Sequence, residues 1–163
     1  MAYQHIVHPI EPLYDADSKI LILGSFPSVK SREQMFFYGH KQNRFWKVMA
    51  EVLQEEVPQT IPQKKALLYR HHIAVWDVIY SCDIEGSADS SIKNVVPTDL
   101  KSIIEKTQIT RVFCNGKASG GYYAKYQEKE TKIPAVTLPS TSPANAAWGV
   151  ERLVEEWKQI IAE

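Results

Sequence analysis

Ile20-Leu21-Ile22-Leu23-Gly24-Ser25-Phe26-Pro27-Ser28 is the stretch that decides the architecture. Its apolar run is strand-sized and closes at a glycine, as expected of a strand buried in a sheet. From Gly24 the chain passes through Phe36-Phe37-Tyr38-Gly39-His40-Lys41-Gln42-Asn43-Arg44-Phe45-Trp46 into an amphipathic helix. An ordinary connection in an α/β domain takes only a few residues, so a loop this long is expected to have a task. Its aromatic, basic and amide side chains suit a flat, anionic ligand such as a nucleobase attached to phosphates.

Three further runs, residues 73–79, 111–114 and 135–138, have the same apolar character and polar boundaries. Helical patterns lie between them. Phe45, Trp46, Met49, Val52 and Leu53 share one helical face, and Leu100, Ile103 and Ile104 form a shorter stripe after Pro97-Thr98. Val150, Leu153, Val154, Trp157, Ile160 and Ile161 fall at offsets that place all six on one side of a terminal helix. Strands alternating with helices predict a three-layer α/β/α fold around a central four-stranded, mostly parallel sheet. The 163 residues are enough for one core and short for two, so one domain over 1–163 is expected.

Bulk properties narrow the function. The formal net charge is zero, which speaks against an indiscriminate polyanion binder. The charge is uneven, however. Residues 30–47 carry five basic residues and one acid, whereas residues 151–163 carry four acids and two bases. No apolar run approaches the ~20 residues of a membrane span. The N-terminus has no secretory pattern, and Cys82 and Cys114 read as reduced, buried thiols, so a cytoplasmic or nucleoid-associated protein is expected. Two cysteines do not make an iron–sulfur cluster, and no metal-ligand spacing, Walker loop, dinucleotide fingerprint or nucleophile elbow occurs.

In parallel sheets ligands bind beyond the carboxyl ends of the strands. The residues there are Gly24, Ser25, Phe26, Pro27 and Ser28 after the first, Asp77 and Ser81 at the second, and Asn115-Gly116 after the third. Pro139-Ser140-Thr141-Ser142-Pro143-Ala144-Asn145 follow the fourth. In that last loop Ser142 is expected to cap a helix with Pro143 at its first position, leaving amide donors for a phosphate beside the Ser140 and Thr141 hydroxyls. Asn43 is the leading catalytic candidate. Its carbonyl can orient a water, which suffices where a sugar oxocarbenium ion forms early; it also suits a helix cap near Arg44. Asp77, the one carboxylate at a strand end, is the rival for activating water. Phe37 and Tyr38 are placed to stack on a base or to fill core, and His40 to donate to a base carbonyl or phosphate. Asn115 carries the donor and acceptor that base-edge recognition needs. Gly86-Ser87-Ala88-Asp89-Ser90-Ser91 reads as a backbone contact or a cap.

Taken together these residues resemble the uracil-DNA glycosylase superfamily, most closely its hypoxanthine-DNA (deoxyinosine) glycosylase branch. The resemblance rests on Ile22 to Ser28, on Phe37-Tyr38-Gly39-His40 with Asn43-Arg44-Phe45-Trp46, and on Leu138 to Asn145. Trp76-Asp77-Val78, Gly86-Ser87, Asp89-Ser90 and Asn115-Gly116 add to it. It spans nearly the whole chain. The wider superfamily usually has Asp or Asn where this chain has Phe26; in the deoxyinosine branch an Asn matching Asn43 takes over the work on water. The resemblance implies a monofunctional glycosylase that flips hypoxanthine, uracil or xanthine out of DNA and hydrolyses its N-glycosidic bond, without cofactor or metal. Gly24, Ser25, Phe26, Phe37 and Asn115 would hold the base, and Ser28, Ser140, Thr141, Ser142 and Asn145 the DNA backbone. Trp148 and Ala146 are candidates for the wedge that fills the gap. The expected partner is DNA bearing a deaminated base, with the protein a monomer. Two alternatives use the same pocket: a non-catalytic binder of damaged DNA, kept open by Phe26, and a nucleosidase.

Overall fold

The computed structural model describes residues 2–162. Met1 and Glu163, the ends of the expected 1–163 domain and parts of the terminal segments read above, lie outside the described residues. The central sheet is formed by β2 (Ile20–Gly24), β3 (Ile73–Asp77), β6 (Arg111–Asn115) and β7 (Ala135–Leu138). They run in the order β3-β2-β6-β7, every pair parallel. Alternation along β2 shows why the sheet needs cover on both faces. Ile22 joins one core with α2 (Phe45–Val52), α3 (Ile61–Arg70) and α7 (Val150–Trp157). Leu21 and Leu23 join a second core with α4 (Leu100–Glu105) and Tyr123 of α5 (Lys117–Tyr126). Neighbouring side chains on a strand point to opposite faces, so one run builds two cores. The three-layer α/β/α fold and four-stranded sheet are as the sequence predicts.

The expected strand 73–79 is broken. β3 ends at Asp77, and the amides of Val78 and Ile79 donate to the carbonyls of Gly24 (2.9 Å) and Ser25 (3.1 Å). The chain then enters a second sheet that the sequence reading did not foresee. Its strands β1 (Gln4–Val7), β4 (Ile79–Ile84) and β5 (Lys93–Pro97) are antiparallel in the order β1-β4-β5. β1 and β5 are largely exposed, and their polar residues carry no apolar signal.

Three helical expectations also change. The loop after β2 contains α1 (Val29–Gln34), capped by Ser28 Oγ, which accepts the Ser31 amide at 3.1 Å. α4 is capped by Asp99 rather than Thr98. α7 tightens into a 3-10 turn, Lys158–Ile161, which turns Ile161 out to 52% exposure while Ile160 stays buried. The sequence reading did not single out α3, whose Thr60–Gln63 capping box is complete, or α5 and α6 (Glu128–Thr131). Among the described residues no helix is long and apolar enough to cross a membrane.

Candidate active site

The carboxyl ends of the parallel strands border a cleft of about 380 Å³. Gly24 to Ser28, Phe37, Tyr38, His40, Asn43, Asp77, Ser87, Asp89, Asn115 and Ser140 to Ala144 line it. Segments scattered from one end of the sequence to the other therefore meet at one sheet edge. Asn145 is the exception among the proposed DNA contacts: it does not line the cleft, and its amide donates to the Ser140 carbonyl at 3.0 Å.

Asn43 is held by both neighbours of its carbonyl. Oδ1 accepts the Phe45 amide (2.9 Å), so Asn43 caps α2, and it accepts the Thr141 hydroxyl (2.8 Å). That oxygen has two lone pairs, and both are used. Asn43 therefore presents its Nδ2 donors, not the carbonyl that the sequence reading had orient the water. Thr141 is fully buried and links further. Its hydroxyl accepts Asn115 Nδ2 at 2.9 Å, while its amide donates to Asn115 Oδ1 at 3.0 Å. The relay Asn115–Thr141–Asn43 ties the ends of β6 and β7 to the start of α2. Thr141 thus spends its hydroxyl internally, whereas Asn115 keeps one donor and one acceptor position. Gly116, with φ of 95°, supplies the turn from β6 into α5.

The helix expected at Ser142-Pro143 does not form. Ser142 Oγ accepts the Ala144 amide at 3.1 Å in a turn, and α7 begins only at Val150. The cause is Arg44. Its guanidinium donates to the carbonyls of Thr141 (3.4 Å), Ser142 (2.9 Å), Asn145 (3.1 Å) and Trp148. Carbonyls that a helix would bond internally are turned to one side chain instead. The sequence reading counted Arg44 only as a basic residue; nothing local marks it as a clamp. Ser140 Oγ accepts the Ser142 amide at 3.1 Å in the same loop.

Aromatic groups wall the cleft. Phe26 is 9% exposed and Phe37 2%. Tyr38 is not free to stack on a ligand, because its ring lies on Phe45 at 3.9 Å and 16°. His40 Nδ1 accepts the Gln42 amide at 3.1 Å. Trp148 is half-buried beneath the Arg152 guanidinium, 3.9 Å from its ring, while Ala146 is exposed. Ser25 donates to Asp89 at 2.9 Å; surrounding protein raises the Asp89 carboxyl above its ordinary value, the Ser25 bond opposes this, and the Asp77 charge adds to it. Ser87 Oγ accepts the Val29 amide at 2.9 Å.

Asp77 sits at the floor, 4% exposed, with Oδ2 2.7 Å from Nε2 of the buried His8. The β2–β3 register sets Asp77 opposite Gly24. A Cβ on residue 24 would lie 2.5 Å from Asp77 Oδ1 and 3.1 Å from the Tyr38 hydroxyl, so glycine is required there. The sequence reading passed over His8, since no spacing ties residue 8 to residue 77. Among the described residues there is no cluster of three or more His, Cys, Asp or Glu placed to hold a metal ion.

The family profile of the uracil DNA glycosylase superfamily matches residues 11–161. The chain belongs to this superfamily. It is 33% identical over 150 residues to a hypoxanthine DNA glycosylase of Methanosarcina acetivorans, spanning 90% of this chain and 92% of that one. A hypoxanthine DNA glycosylase of Methanosarcina barkeri is 34% identical over 139 residues, 82% and 85% of the two chains. The fold resembles the solution NMR structure of a Methanosarcina acetivorans protein named for uracil DNA glycosylase. The TM-score is 0.79 at 24% identity, with 96% of this chain and all of that one covered. The superfamily motifs read from the sequence are thus the segments that the fold gathers at the cleft.

Proposed function

We propose that this protein is a monofunctional DNA glycosylase that removes a deaminated base, hypoxanthine foremost and uracil or xanthine as further substrates, in base excision repair. It works as a single-domain cytoplasmic monomer without cofactor. The observation that carries this reading is the relay that fixes Asn43 across 98 residues of sequence, through Thr141, at the rim of an aromatic-walled cleft. The names of the two archaeal relatives support it.

The target nucleotide leaves the helix, at an expense of a few kcal/mol that is least for a mispaired base. Phe26 and Phe37 flank it, with Gly24, Ser25 and the remaining valences of Asn115 at its edge. Ser28, Ser140, Ser142 and the turn that Thr141 and Asn145 brace hold the backbone. The glycosidic bond breaks with its electron pair leaving on the base, which develops an oxocarbenium ion at C1′. Asn43 Nδ2 donates to a water, whose free lone pair faces C1′. The new C1′–O bond forms and the water's proton passes to the departing base or to solvent. An abasic site and a free base result, with the strand intact.

The test is a panel of duplexes bearing one deoxyinosine, deoxyuridine or deoxyxanthosine, with alkali to reveal abasic sites. Release of hypoxanthine, lost by orders of magnitude in Asn43→Ala, is the expected result. No release from any duplex refutes the proposal. Lesion binding without release marks a non-catalytic module, and turnover of free deoxyinosine a nucleosidase. Loss in Asp77→Ala with retention in Asn43→Ala would reverse the roles of those two residues.

A further inference from the structure

Two polar atoms at the cleft floor are left without partners. The Tyr38 hydroxyl is buried and makes no hydrogen bond, an arrangement that ordinarily costs stability and calls for an explanation. Tyr38 also has φ of 54°, a left-handed conformation rare for an aromatic residue and concentrated at ligand sites. Burial first, then the Asp77 charge, raises its phenol above the ordinary value, so the group remains a donor. Asp77 is the complement. His8 Nδ1 accepts the Ile10 amide at 3.2 Å, which leaves the ring proton on Nε2 to donate to Asp77 Oδ2. Phe26, Phe37 and Trp76 enclose the imidazole at 5.7 to 6.3 Å between ring centroids. Oδ1 accepts no hydrogen bond among the described residues. It lies beside the Tyr38 hydroxyl above the bare Cα of Gly24, where both atoms are within reach of one base edge.

We infer that Asp77 and Tyr38 read the flipped base: Asp77 Oδ1 accepts its ring N–H and the Tyr38 hydroxyl donates to the carbonyl next to it. The inference rests on the glycosylase reading and deepens it by naming the chemical class of base. Deamination turns the ring nitrogen of adenine or cytosine from an acceptor into an N–H, and the neighbouring amine donor into a carbonyl acceptor. Hypoxanthine and uracil match the acceptor–donor pair. Adenine and cytosine present the reverse pattern, setting a ring lone pair against a carboxylate, which only accepts. Guanine has the same lactam edge as hypoxanthine, so the pair separates hypoxanthine from adenine and not from guanine. His8 is a positioning residue that turns Oδ1 toward the base.

The experiment measures affinity for duplexes containing uncleavable 2′-fluoro-deoxyinosine or 2′-fluoro-deoxyadenosine, each opposite an abasic analogue so that neither base is paired. The wild-type protein is expected to prefer inosine by about 10- to 100-fold, the range for a hydrogen bond to a charged group. Asp77→Asn should bring the two within about threefold, and Tyr38→Phe should reduce the preference in part. His8→Gln, which keeps a donor, should retain it, whereas His8→Phe should not. An unchanged preference in Asp77→Asn overturns the assignment. Where that variant fails to fold, the wild-type protein decides with a 2′-fluoro purine nucleoside lacking both N–H and carbonyl: binding as tight as inosine overturns it, and binding at the adenosine level supports it. Excision of deoxyinosine with no such preference sinks the assignment alone; no excision from any duplex sinks the glycosylase.

Discussion

Thr141→Val separates position from chemistry. Valine keeps the volume of a fully buried side chain, so no cavity opens, but two hydrogen bonds vanish: Thr141 to Asn43 (2.8 Å) and Asn115 to Thr141 (2.9 Å). Each such bond contributes roughly 1 kcal/mol net, and a stranded Asn115 N–H adds to the loss, for a total of about 2–3 kcal/mol. At about 2–4 °C per kcal/mol for a chain this long, the melting temperature should fall by about 5–10 °C. Asn43 keeps its bond to the Phe45 amide but loses its second restraint. A misplacement of about 1 Å costs on the order of 100-fold, so excision should slow by about 10- to 100-fold. The assay is single-turnover release from a deoxyinosine duplex with enzyme in excess, beside thermal melting, in the wild-type and Asn43→Ala backgrounds. If Thr141 acts through Asn43, its substitution changes the Asn43→Ala rate by less than about threefold. A full wild-type rate in Thr141→Val, or an equal penalty in both backgrounds, would refute the reasoning.

Gly24→Ala should drive a Cβ into Asp77 Oδ1, 2.5 Å away, costing about 1–3 kcal/mol by overpacking and weakening lesion binding; melting and the 2′-fluoro affinities measure both. Arg44→Leu frees the four carbonyls of the 141–148 turn, so amide exchange there should rise well above that of β2. Arg44→Lys should resemble Leu, because a single ammonium does not replace the guanidinium fork. Hydrogen bonds from Arg70 and then His71 hold the Glu55 carboxyl down at about 2, against an ordinary 4.5. A depressed carboxylate stabilises above its unfolded value, and that contribution fades as pH falls from 4.5 toward 2. Glu55→Gln should flatten the melting temperature over that window, and an unaltered acid limb would contradict the assignment.

Much of the frame is legible because burial on both faces leaves a mark in sequence. All four central strands are short apolar runs, and α2 and α7 repeat at helical spacing. The second sheet left no such mark, since β1 and β5 are half-solvated strands whose Gln, His, Lys and Asn read as loop. The 73–79 run misled for a related reason. Val78 and Ile79 are as apolar as the strand before them, but their amides bond to Gly24 and Ser25, and no local pattern records where a chain changes sheets.

The site divides along the same line. Sequence alone determined the parallel α/β frame, the cleft-edge segments and the importance of Asn43, because hydrophobic period and motif order are local properties. Tertiary structure alone decided what each side chain has left to offer. Thr141, listed by type as a phosphate donor, gives its hydroxyl to Asn43; Tyr38, an apparent stacking ring, lies on Phe45 and contributes its hydroxyl; Ser142-Pro143 opens a turn because Arg44 takes the carbonyls. Asp77 gained His8 from 69 residues away. A side chain's chemistry is written in its type, but a hydrogen-bonding valence is spent or free only according to neighbours that the folded chain brings within about 3 Å.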